Sequence, residues 1–322
     1  MVTPQGVWRP LHSVWRSSKI ISDLKKNKIE LYHGLSNELP VGISKSGIKS
    51  VVTIHDLIFL RHPEFYPAAD KTIYHRKSKR ACAEADHIIA VSEQTKEDLI
   101  HYYQLPEEKI SVIYQSIQPL FFEGATEEQL HSVRKKFYLI SPKESSLGKF
   151  ILYVGTIEER KNLLTVLKAM EIVTKNKQID LVVVGRSTPY EKKVKKYLQE
   201  NAPRYKTHFL QNVSNEELRL IYQSAAALVY PSAFEGFGLP IAEAMASGIP
   251  VIANDEEIFR EAGGELTEYV DVNEPEDFSE SILNVIHDAS LRRTMIEEGK
   301  NHAAKFKPER QAEQLAKLYA NI

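Results

Sequence analysis

Two carboxylates stand at either side of a glycine-containing turn, at Glu235 and Glu243, with seven residues between them. The apolar run Ala226–Tyr230 before the turn is typical of a buried strand, and the residues after the turn predict a helix. A helix N-terminus offers free backbone N–H groups and the positive end of the helix dipole, which bind phosphate. Gly236 and Gly238 would let a ligand approach the backbone closely. The sequence therefore predicts an anion site at this turn.

Both carboxylates also have a simpler structural interpretation. Pro240 suits the first position of the helix and Gly248 its end, so Glu243 would lie in the first turn and stabilise the helix dipole. Glu235 alone would be a solvated turn residue. We favour the ligand site because an acid at the carboxyl end of a parallel strand lies where open α/β sheets bind ligands.

A pair of cations, Arg160 and Lys161, follows a second apolar run that ends at Gly155. Arginine offers a planar fork of donors and lysine a point charge, and together they can neutralise a diphosphate. Adjacent Arg and Lys are also common on protein surfaces, so the pair is weaker evidence by itself than the two carboxylates.

The third candidate is an imidazole beside a carboxylate, His55 and Asp56, where the run Ser50–His55 ends. Such a pair is more often structural than catalytic. The three candidates follow strands in both halves of the chain. If the halves face one another, cations and a helix N-terminus would line one wall of a cleft and His55 the other, and a nucleoside diphosphate joined to a neutral group would fit there.

The composition narrows the class of protein. A chain of 322 residues with 43% apolar and 26% charged residues has room for two globular domains or one large α/β barrel. The net charge of −1 gives no long-range field for nucleic acid, and Cys82, the only cysteine, excludes a disulfide and a cysteine-rich metal site. We interpret Cys82 as a small buried side chain. The start lacks a signal-peptide core, so we expect a cytoplasmic protein, at most attached to a membrane surface.

Short β-branched runs alternate with helical patterns along most of the sequence, which indicates parallel sheets covered on both faces. Predicted strands are 29–33, 50–55, 87–92, 110–113, 150–155, 180–185, 208–210, 226–230 and 250–253, and predicted helices include 95–103, 163–176, 190–201 and 216–224.

The pattern breaks in the polar stretch 122–149, where a capping box opens at Thr126. We therefore predict an N-terminal α/β domain at 1–124, a linker at 125–149 and a C-terminal α/β domain at 150–300. A C-terminal helix at 301–322 is expected to pack back towards the N-terminal domain.

The N-terminal segment Trp8–Lys28 carries six Lys and Arg against one acid. Trp8, Leu11 and Trp15 have helical spacing, so the segment could be a helix that contacts a membrane surface or an acceptor. The simpler interpretation, which we favour, is a helix whose aromatic face packs on the sheet.

The sequence strongly resembles the retaining glycosyltransferases of family 4, which have two Rossmann-like domains facing across a cleft in the GT-B architecture. The segments that carry the resemblance are Val52–Phe59, Ile89–Leu99, Tyr153–Leu163 and the Glu-x7-Glu signature Glu235–Glu243.

The resemblance implies a role for each motif residue. Arg160 and Lys161 would bind the donor diphosphate and stabilise its departing charge. Glu243 would hold the ribose hydroxyls, and His55 would contact the transferred sugar. The other donor contacts that it implies are Gly155, a base pocket near Val213, and the turn formed by Glu235, Gly236, Phe237, Gly238 and Leu239. It also implies that Glu235, His55, Lys161 and Arg160 are catalytic, with Glu235 not acting as a nucleophile.

The resemblance also implies a retaining transfer of a hexose, with mannose as a candidate, from a GDP- or UDP-sugar to a glycan or lipid-linked acceptor. No Asp-x-Asp occurs in the chain, so we expect no cofactor and no obligatory metal. Family members open with a strand and a glycine-rich loop that this sequence lacks, so we expect either a truncated chain or a reduced N-terminal domain. A non-catalytic relic that only binds sugar nucleotide or glycan is therefore the alternative, and a Rossmann oxidoreductase is disfavoured because no Gly-x-Gly-x-x-Gly follows a strand.

Overall fold

A computed structural model describes residues 14–139, 150–175 and 177–322. The chain divides into two units: one runs to Gln115 and takes in Gln311–Ile322, and the other spans Ser116–Arg310. The first unit therefore ends before the predicted limit at 124. The predicted linker is part of the second unit where it is described, because the helix Glu127–Lys136 packs against the helix Asn215–Ser224. Residues 140–149 of that linker lie outside the described residues.

The first unit is built on a parallel sheet. Its strands β1 to β4 are neighbours in chain order. Side chains alternate between the two faces of the central strands, so that Val52 and Ile54 enter one apolar cluster and Val51 and Ile89 enter another. The strands are β1 Leu31–Gly34, β2 Lys49–Ile54, β3 His87–Ala90 and β4 Ile110–Val112.

Four α-helices of the described chain belong to this unit before residue 115. The last of them begins at Glu93, where Ser92 accepts a hydrogen bond from the backbone N–H of Thr95 and caps the N-terminus. The helices are α1 Ile20–Lys26, α2 Ile58–Arg61, α3 Ala68–Glu84 and α4 Glu93–Tyr103.

The second unit is a larger parallel sheet with the order β10-β9-β8-β5-β6-β7. Strands β5, β6, β8 and β9 are buried along their whole length, as their continuous apolar runs predict. The chain moves outward from β5 through β6 to β7 and then returns to place β8 on the other side of β5. The strands are β5 Ile151–Val154, β6 Leu181–Val184, β7 Thr207–Leu210, β8 Ala227–Tyr230, β9 Val251–Asn254 and β10 Glu268–Val270.

Helices cover this sheet, and capping boxes start two of them. Thr126 and Ser214 each accept a hydrogen bond from the backbone of the third helical residue, whose side chain bonds back. The helices are α5 Glu127–Lys136, α6 Leu163–Val173, α7 Glu191–Asn201, α8 Asn215–Ser224, α9 Leu239–Ala246, α10 Glu257–Gly263, α11 Pro275–His287 and α12 Ala289–Ala303.

The last helix, α13 at Pro308–Ala320, returns the chain to the first unit. Leu315 and Leu318 pack against the face of the first sheet that carries Val51 and Ile89. The tyrosine hydroxyl of Tyr319 lies 2.6 Å from a ring nitrogen of His33 on β1. The predicted C-terminal helix at 301–322 is thus two pieces, since α12 extends to Ala303.

Trp15 and Cys82, for which we favoured a structural role, are both buried. Trp15 is 8% exposed and its indole N–H donates to Asp23 at 2.8 Å. Its predicted partners Trp8 and Leu11 lie outside the described residues. Cys82 is fully buried, and burial raises the pKa of its thiol to about 12. Across the described ranges, no helix is both long and apolar enough to cross a bilayer.

Candidate active site

The topology of the second sheet marks where a ligand would bind. Strands β5 and β8 are neighbours, and the strand order reverses between them. In open α/β sheets, ligands bind at such a switch point, outside the carboxyl ends of the strands. Arg160 and Lys161 follow β5, and Glu235 follows β8. The fold therefore brings the predicted cations and the first predicted carboxylate to one edge.

Glu235 is the centre of a buried charged cluster. Its Oε1 accepts a hydrogen bond from Arg160 Nη1 at 2.7 Å and another from Ser232 Oγ at 2.5 Å, and it pairs with Lys161 Nζ. The side chains of Arg160, Lys161 and Glu235 are 14%, 12% and 15% exposed. The alternatives of a solvated turn glutamate and a surface Arg-Lys pair are therefore wrong.

Arg160 also joins the turn after β5 to the turn after β8. Its Nη2 lies 2.8 Å from Glu158 Oε1, and its Nη1 donates to the carbonyl of Phe234. Its own carbonyl accepts from the backbone N–H of Ala233 at 2.8 Å. These bonds fix the spacing of the two turns, so the guanidinium is held in place before any ligand arrives.

Burial and charge act in opposite directions on the cluster. Burial works to raise the pKa of Glu235, but the adjacent Lys161 and Arg160 outweigh it, and the pKa of the carboxyl lies below its usual value. Burial lowers the pKa of Lys161, and Arg160 adds to that effect against the opposing pull of Glu235. An incoming diphosphate would favour the charged form of Lys161.

Two buried tyrosines contact Lys161, and neither was predicted from the sequence. Lys161 Nζ donates to the hydroxyl of Tyr230 at 3.1 Å, and that hydroxyl is also hydrogen-bonded to Glu235. The hydroxyl of Tyr153 donates to the backbone carbonyl of Lys161 at 3.3 Å. Each tyrosine lies at or next to the last residue of a buried strand, which is the only sequence signal that could have found it.

The N-terminus of α9 lies directly after the Glu235 turn. Gly238 precedes the helix with a φ of 114°, a conformation that favours glycine, and no described side chain caps the helix. The helix begins at Leu239, one residue before the predicted Pro240, and Gly248 follows its end with a φ of 77°. The first-turn N–H groups are therefore suited to an anion.

Glu243 is the fifth residue of α9 and so lies beyond its first turn. The prediction that it stabilises the helix dipole from the first turn is wrong, because the helix begins earlier than the proline signal indicated. The hydroxyl of Tyr222 donates to Glu243 Oε2 at 3.1 Å. Burial raises the pKa of Glu243 to about 7, although the Tyr222 hydrogen bond opposes the shift. This carboxyl is poised to change its protonation near neutral pH.

The remaining predicted donor contacts are more dispersed. Gly155 follows β5, and its N–H donates to the carbonyl of Val184 at 2.9 Å. Gly236 and Phe237 belong to the Glu235 turn, but the ring of Phe237 is buried against Phe306 with centroids 5.1 Å apart. Val213 lies in the loop between β7 and α8, and β7 is two strands away from β5.

His55 belongs to the first unit and follows β2. Its Nε2 donates to the carbonyl of Leu35 at 2.8 Å, and its Nδ1 accepts from the amide of Gln115 at 2.9 Å. Both ring nitrogens therefore have protein partners, which fix the orientation of the ring.

Among the described ranges 14–139, 150–175 and 177–322, no three His, Cys, Asp or Glu side chains are grouped so that they could hold a metal ion. The charged groups that the structure does gather are the two cations and Glu235.

Two families match the chain in sequence. Residues 140–302, about half of the chain, match the glycosyl transferases of group 1. Residues 1–119 match the glycosyltransferases of family 4.

Curated relatives with similar sequences include two enzymes of O-antigen synthesis. The O-antigen chain mannosyltransferase B of Escherichia coli is 28% identical over 286 residues, which cover 88% of this chain and 72% of that protein. The O-antigen chain mannosyltransferase RfbU of Salmonella typhimurium is 30% identical over 236 residues, which cover 73% of this chain and 60% of that protein.

Solved structures share the fold. A glycosyltransferase from Rickettsia africae superposes with a TM-score of 0.75 at 18% identity, covering 100% of this chain and 83% of that one. Anabaena Alr3699/HepE in complex with UDP-glucose gives a TM-score of 0.76 at 16% identity, covering 99% and 84%. The chain therefore belongs to the group 1 glycosyl transferases, a family of glycosyltransferase enzymes, and its two parallel-sheet units have the GT-B fold.

Proposed function

We propose that the chain transfers a hexose from a nucleoside diphosphate sugar to a hydroxyl group of a glycan or lipid-linked acceptor. The observation that carries this proposal is the buried cluster of Arg160, Lys161 and Glu235 at the β5/β8 switch point, beside the uncapped N-terminus of α9. Mannose is the first candidate sugar because the two curated relatives described above are named mannosyltransferases.

The donor would lie on the second unit. Arg160 and Lys161 would bind the diphosphate, together with the backbone of the turn Gly236–Gly238 and of Leu239. Glu243 would accept hydrogen bonds from the ribose hydroxyls. Structural neighbours that were solved with UDP and with UDP-glucose support a nucleotide donor. The choice between a uridine and a guanosine base would depend on loops such as the one at Val213.

The proposed transfer retains the configuration at the anomeric carbon. The bond between that carbon and the diphosphate oxygen breaks, and its electron pair stays on the oxygen. The acceptor oxygen then bonds to the same face of the carbon, and its proton passes to the departing phosphate. Arg160 and Lys161 would stabilise the negative charge on that phosphate, a stabilisation that grows in the transition state.

Glu235 would orient the donor sugar and would not form a covalent bond to it. Its Oε1 is already engaged by Arg160, Lys161 and Ser232, and its neighbours hold the carboxylate charge in place. A carboxylate with these partners is a weak nucleophile but a good acceptor for sugar hydroxyls. The contact that we propose between His55 and the transferred sugar rests on the sequence resemblance alone.

We further propose that no metal ion is obligatory, because the two cations can neutralise the diphosphate themselves. Transfer should then persist in excess EDTA. Activity that is abolished by the chelator and restored by Mn²⁺ would contradict this part of the proposal.

Transfer assays with a panel of UDP- and GDP-sugars and an acceptor mixture test the proposed function. We expect sugar transfer by the unmodified chain and its loss in Glu235→Ala. Glu159→Ala is the matched control, since Glu159 lies in the turn after β5 with its side chain 71% exposed and should be dispensable. Binding of a nucleotide sugar with no transfer to any acceptor would favour the non-catalytic relic.

A further inference from the structure

Helix α3 of the first unit carries an excess of positive charge, although the whole chain is nearly neutral. Residues 71–83 contain five Lys and Arg and no Asp or Glu, whereas the whole chain has a net charge of −1. A single helix that departs so far from the average composition is a candidate interaction surface.

Three of these cations lie away from the buried side of the helix. Ser78, Ala81 and Cys82 are buried on the inward side. Helical spacing places a second set of residues on the outward side, which we name the basic face. The basic face consists of Ile73, Arg76, Lys79 and Arg80.

The cations of the basic face are not neutralised by the protein. Among the described residues, no carboxylate lies within ion-pair distance of Arg76, Lys79 or Arg80, while the neighbouring Lys77 pairs with Glu38 at 3.2 Å. Three positive charges therefore project from two successive turns without a protein counterion.

Ile73 is exposed among these cations, whereas Tyr74 is exposed on the side of the helix that carries Ser78 and Ala81. Ile73 is 51% exposed and Tyr74 is 46% exposed. The ring of Tyr74 is held by Phe59 and Tyr66, with centroids 5.9 Å and 6.1 Å away. The tyrosine thus presents a fixed ring that is apolar in its body and polar at its tip. Such side chains, together with long cationic ones, are favoured where water meets lipid.

We propose that the basic face of α3 docks the protein on a bilayer that contains anionic phospholipid. The cations match the negative headgroups, and Ile73 matches the boundary between headgroups and acyl chains. A nucleic acid would satisfy the cations but offers no apolar phase for an exposed isoleucine. The inference does not depend on the donor chemistry, although a lipid-linked acceptor would lie on the same surface.

Vesicle flotation tests this proposal without any sugar nucleotide. We expect the chain to bind vesicles of phosphatidylcholine with phosphatidylglycerol, and not vesicles of phosphatidylcholine alone. Arg76→Glu/Arg80→Glu should weaken the partition by about ten-fold or more, since each cation near an anionic surface adds to binding. Ile73→Ser should weaken it about two- to five-fold, and this loss should persist at raised salt, where electrostatic attraction is screened.

The matched control is Lys192→Glu/Lys196→Glu on α7, which reverses two exposed lysines at the same spacing in the second unit. It should bind anionic vesicles nearly as well as the unmodified chain. An equal loss in both double variants, or no binding to anionic vesicles at all, would overturn the proposal. Binding to an RNA or DNA oligonucleotide that is lost in Arg76→Glu/Arg80→Glu, without vesicle binding, would assign the face to nucleic acid. A cooperative melting transition in each variant establishes that it is folded.

Discussion

At the scale of single residues, the contacts of Lys161 hold it in place before any ligand binds. Its ammonium group pairs with the largely buried Glu235 and donates to the hydroxyl of the buried Tyr230, which hold it in the cluster. A donor diphosphate would compete with Glu235 for this cation and would free the carboxylate for sugar hydroxyls. Tyr230 would remain as the fixed support through the exchange.

Tyr230→Phe should therefore separate catalysis from folding. Removing the hydroxyl deletes one of the two acceptors of Lys161 while the ring keeps its packing, so we expect kcat to fall about ten-fold and the free energy of unfolding by about 1 kcal/mol. Steady-state kinetics and denaturant melts measure the two effects.

Tyr205→Phe is the matched control, because the Tyr205 hydroxyl is buried and donates to the carbonyl of Leu167 at 2.8 Å, outside the charged cluster. It should cost similar stability and leave kcat unchanged. An equal fall of kcat in both variants would show that Tyr230 has no special role in positioning Lys161.

Glu243 should make stability depend on pH in a defined window. Its pKa is about 7 in the folded chain and near the ordinary carboxyl value when unfolded, so between about pH 4.5 and 7 the folded state holds the extra proton. Stability from this group is then present at low pH and is lost as the pH rises through 7. Glu243→Gln should be more stable than the unmodified chain at pH 8, on the order of 2 kcal/mol, and the gain should vanish near pH 5.

Denaturant melts at several pH values measure this difference. Glu191→Gln is the control, since hydrogen bonds from Lys195 and Ser187 lower the pKa of Glu191 and place its titration below this window. A gain at pH 8 that is unchanged at pH 5 would show that Glu243 is not protonated near neutrality.

The charged residues of the candidate site could be identified from the sequence, but the residues that hydrogen-bond to them could not. The cluster of Arg160, Lys161 and Glu235 could be predicted because all three follow strands, and the carboxyl ends of parallel strands share one edge. The contacts of Tyr230, Ser232 and Tyr222 could not, because they depend on which strand lies beside which and on where α9 begins. Buried tyrosines within apolar runs look like ordinary core residues.

At the scale of elements, the chain after β5 and the chain after β6 approach each other closely at the edge of the sheet that carries the charged cluster. Gly185 follows β6, and a Cβ at this position would lie 1.8 Å from the carbonyl oxygen of Gly155 at the end of β5. Neither backbone can move without disturbing the paired strands. A glycine is therefore required beside the Arg160 turn.

Gly185→Ala should destabilise the second unit by more than about 3 kcal/mol, because the methyl group cannot be accommodated without shifting backbone. Thermal or denaturant unfolding measures the loss. Gly124→Ala provides the comparison, since nothing lies within 4 Å of its Cβ position. Similar stability of the two variants would mean that β5 and β6 can separate at their carboxyl ends at little cost.

The elements themselves were predictable to different degrees. The strands β5, β6, β8 and β9 have continuous apolar runs, and their predicted limits are within one residue of those observed. The strand β10, Glu268–Val270, was missed because it is short and only half-buried. The order of the strands is set by packing between distant segments, so local patterns carry no record of it.

At the scale of the whole molecule, the chain returns to its first unit at the end. Residues 311–322 supply Leu315, Leu318 and Tyr319 to the sheet face around Val51 and Ile89. The sequence break at 122–149 suggested a boundary near 124, but a polar stretch does not by itself mark a boundary between units. The unit boundary depends on which segments pack together, and α5 packs with the second unit.

Deleting residues 311–322 should therefore destabilise the first unit selectively. The apolar side chains of Val51, Ile89 and Ile113 would lose their cover, so hydrogen exchange should rise in β2 and β3. The second unit keeps its own core, and a nucleotide should still protect the turns after β5 and β8. Exchange that rises equally in both units would contradict this division.

The central claim is that Arg160 and Lys161 form a nucleoside diphosphate site, and thermal melting with GDP and UDP tests it most directly. A nucleotide at 100 times its dissociation constant should stabilise the fold by about 2.7 kcal/mol. Lys161→Ala should remove most of that stabilisation, whereas Lys168→Ala, which alters an exposed lysine on α6, should keep it. If neither nucleotide shifts the melting transition, or if Lys161→Ala is stabilised as much as the unmodified chain, then Arg160 and Lys161 do not form the donor site.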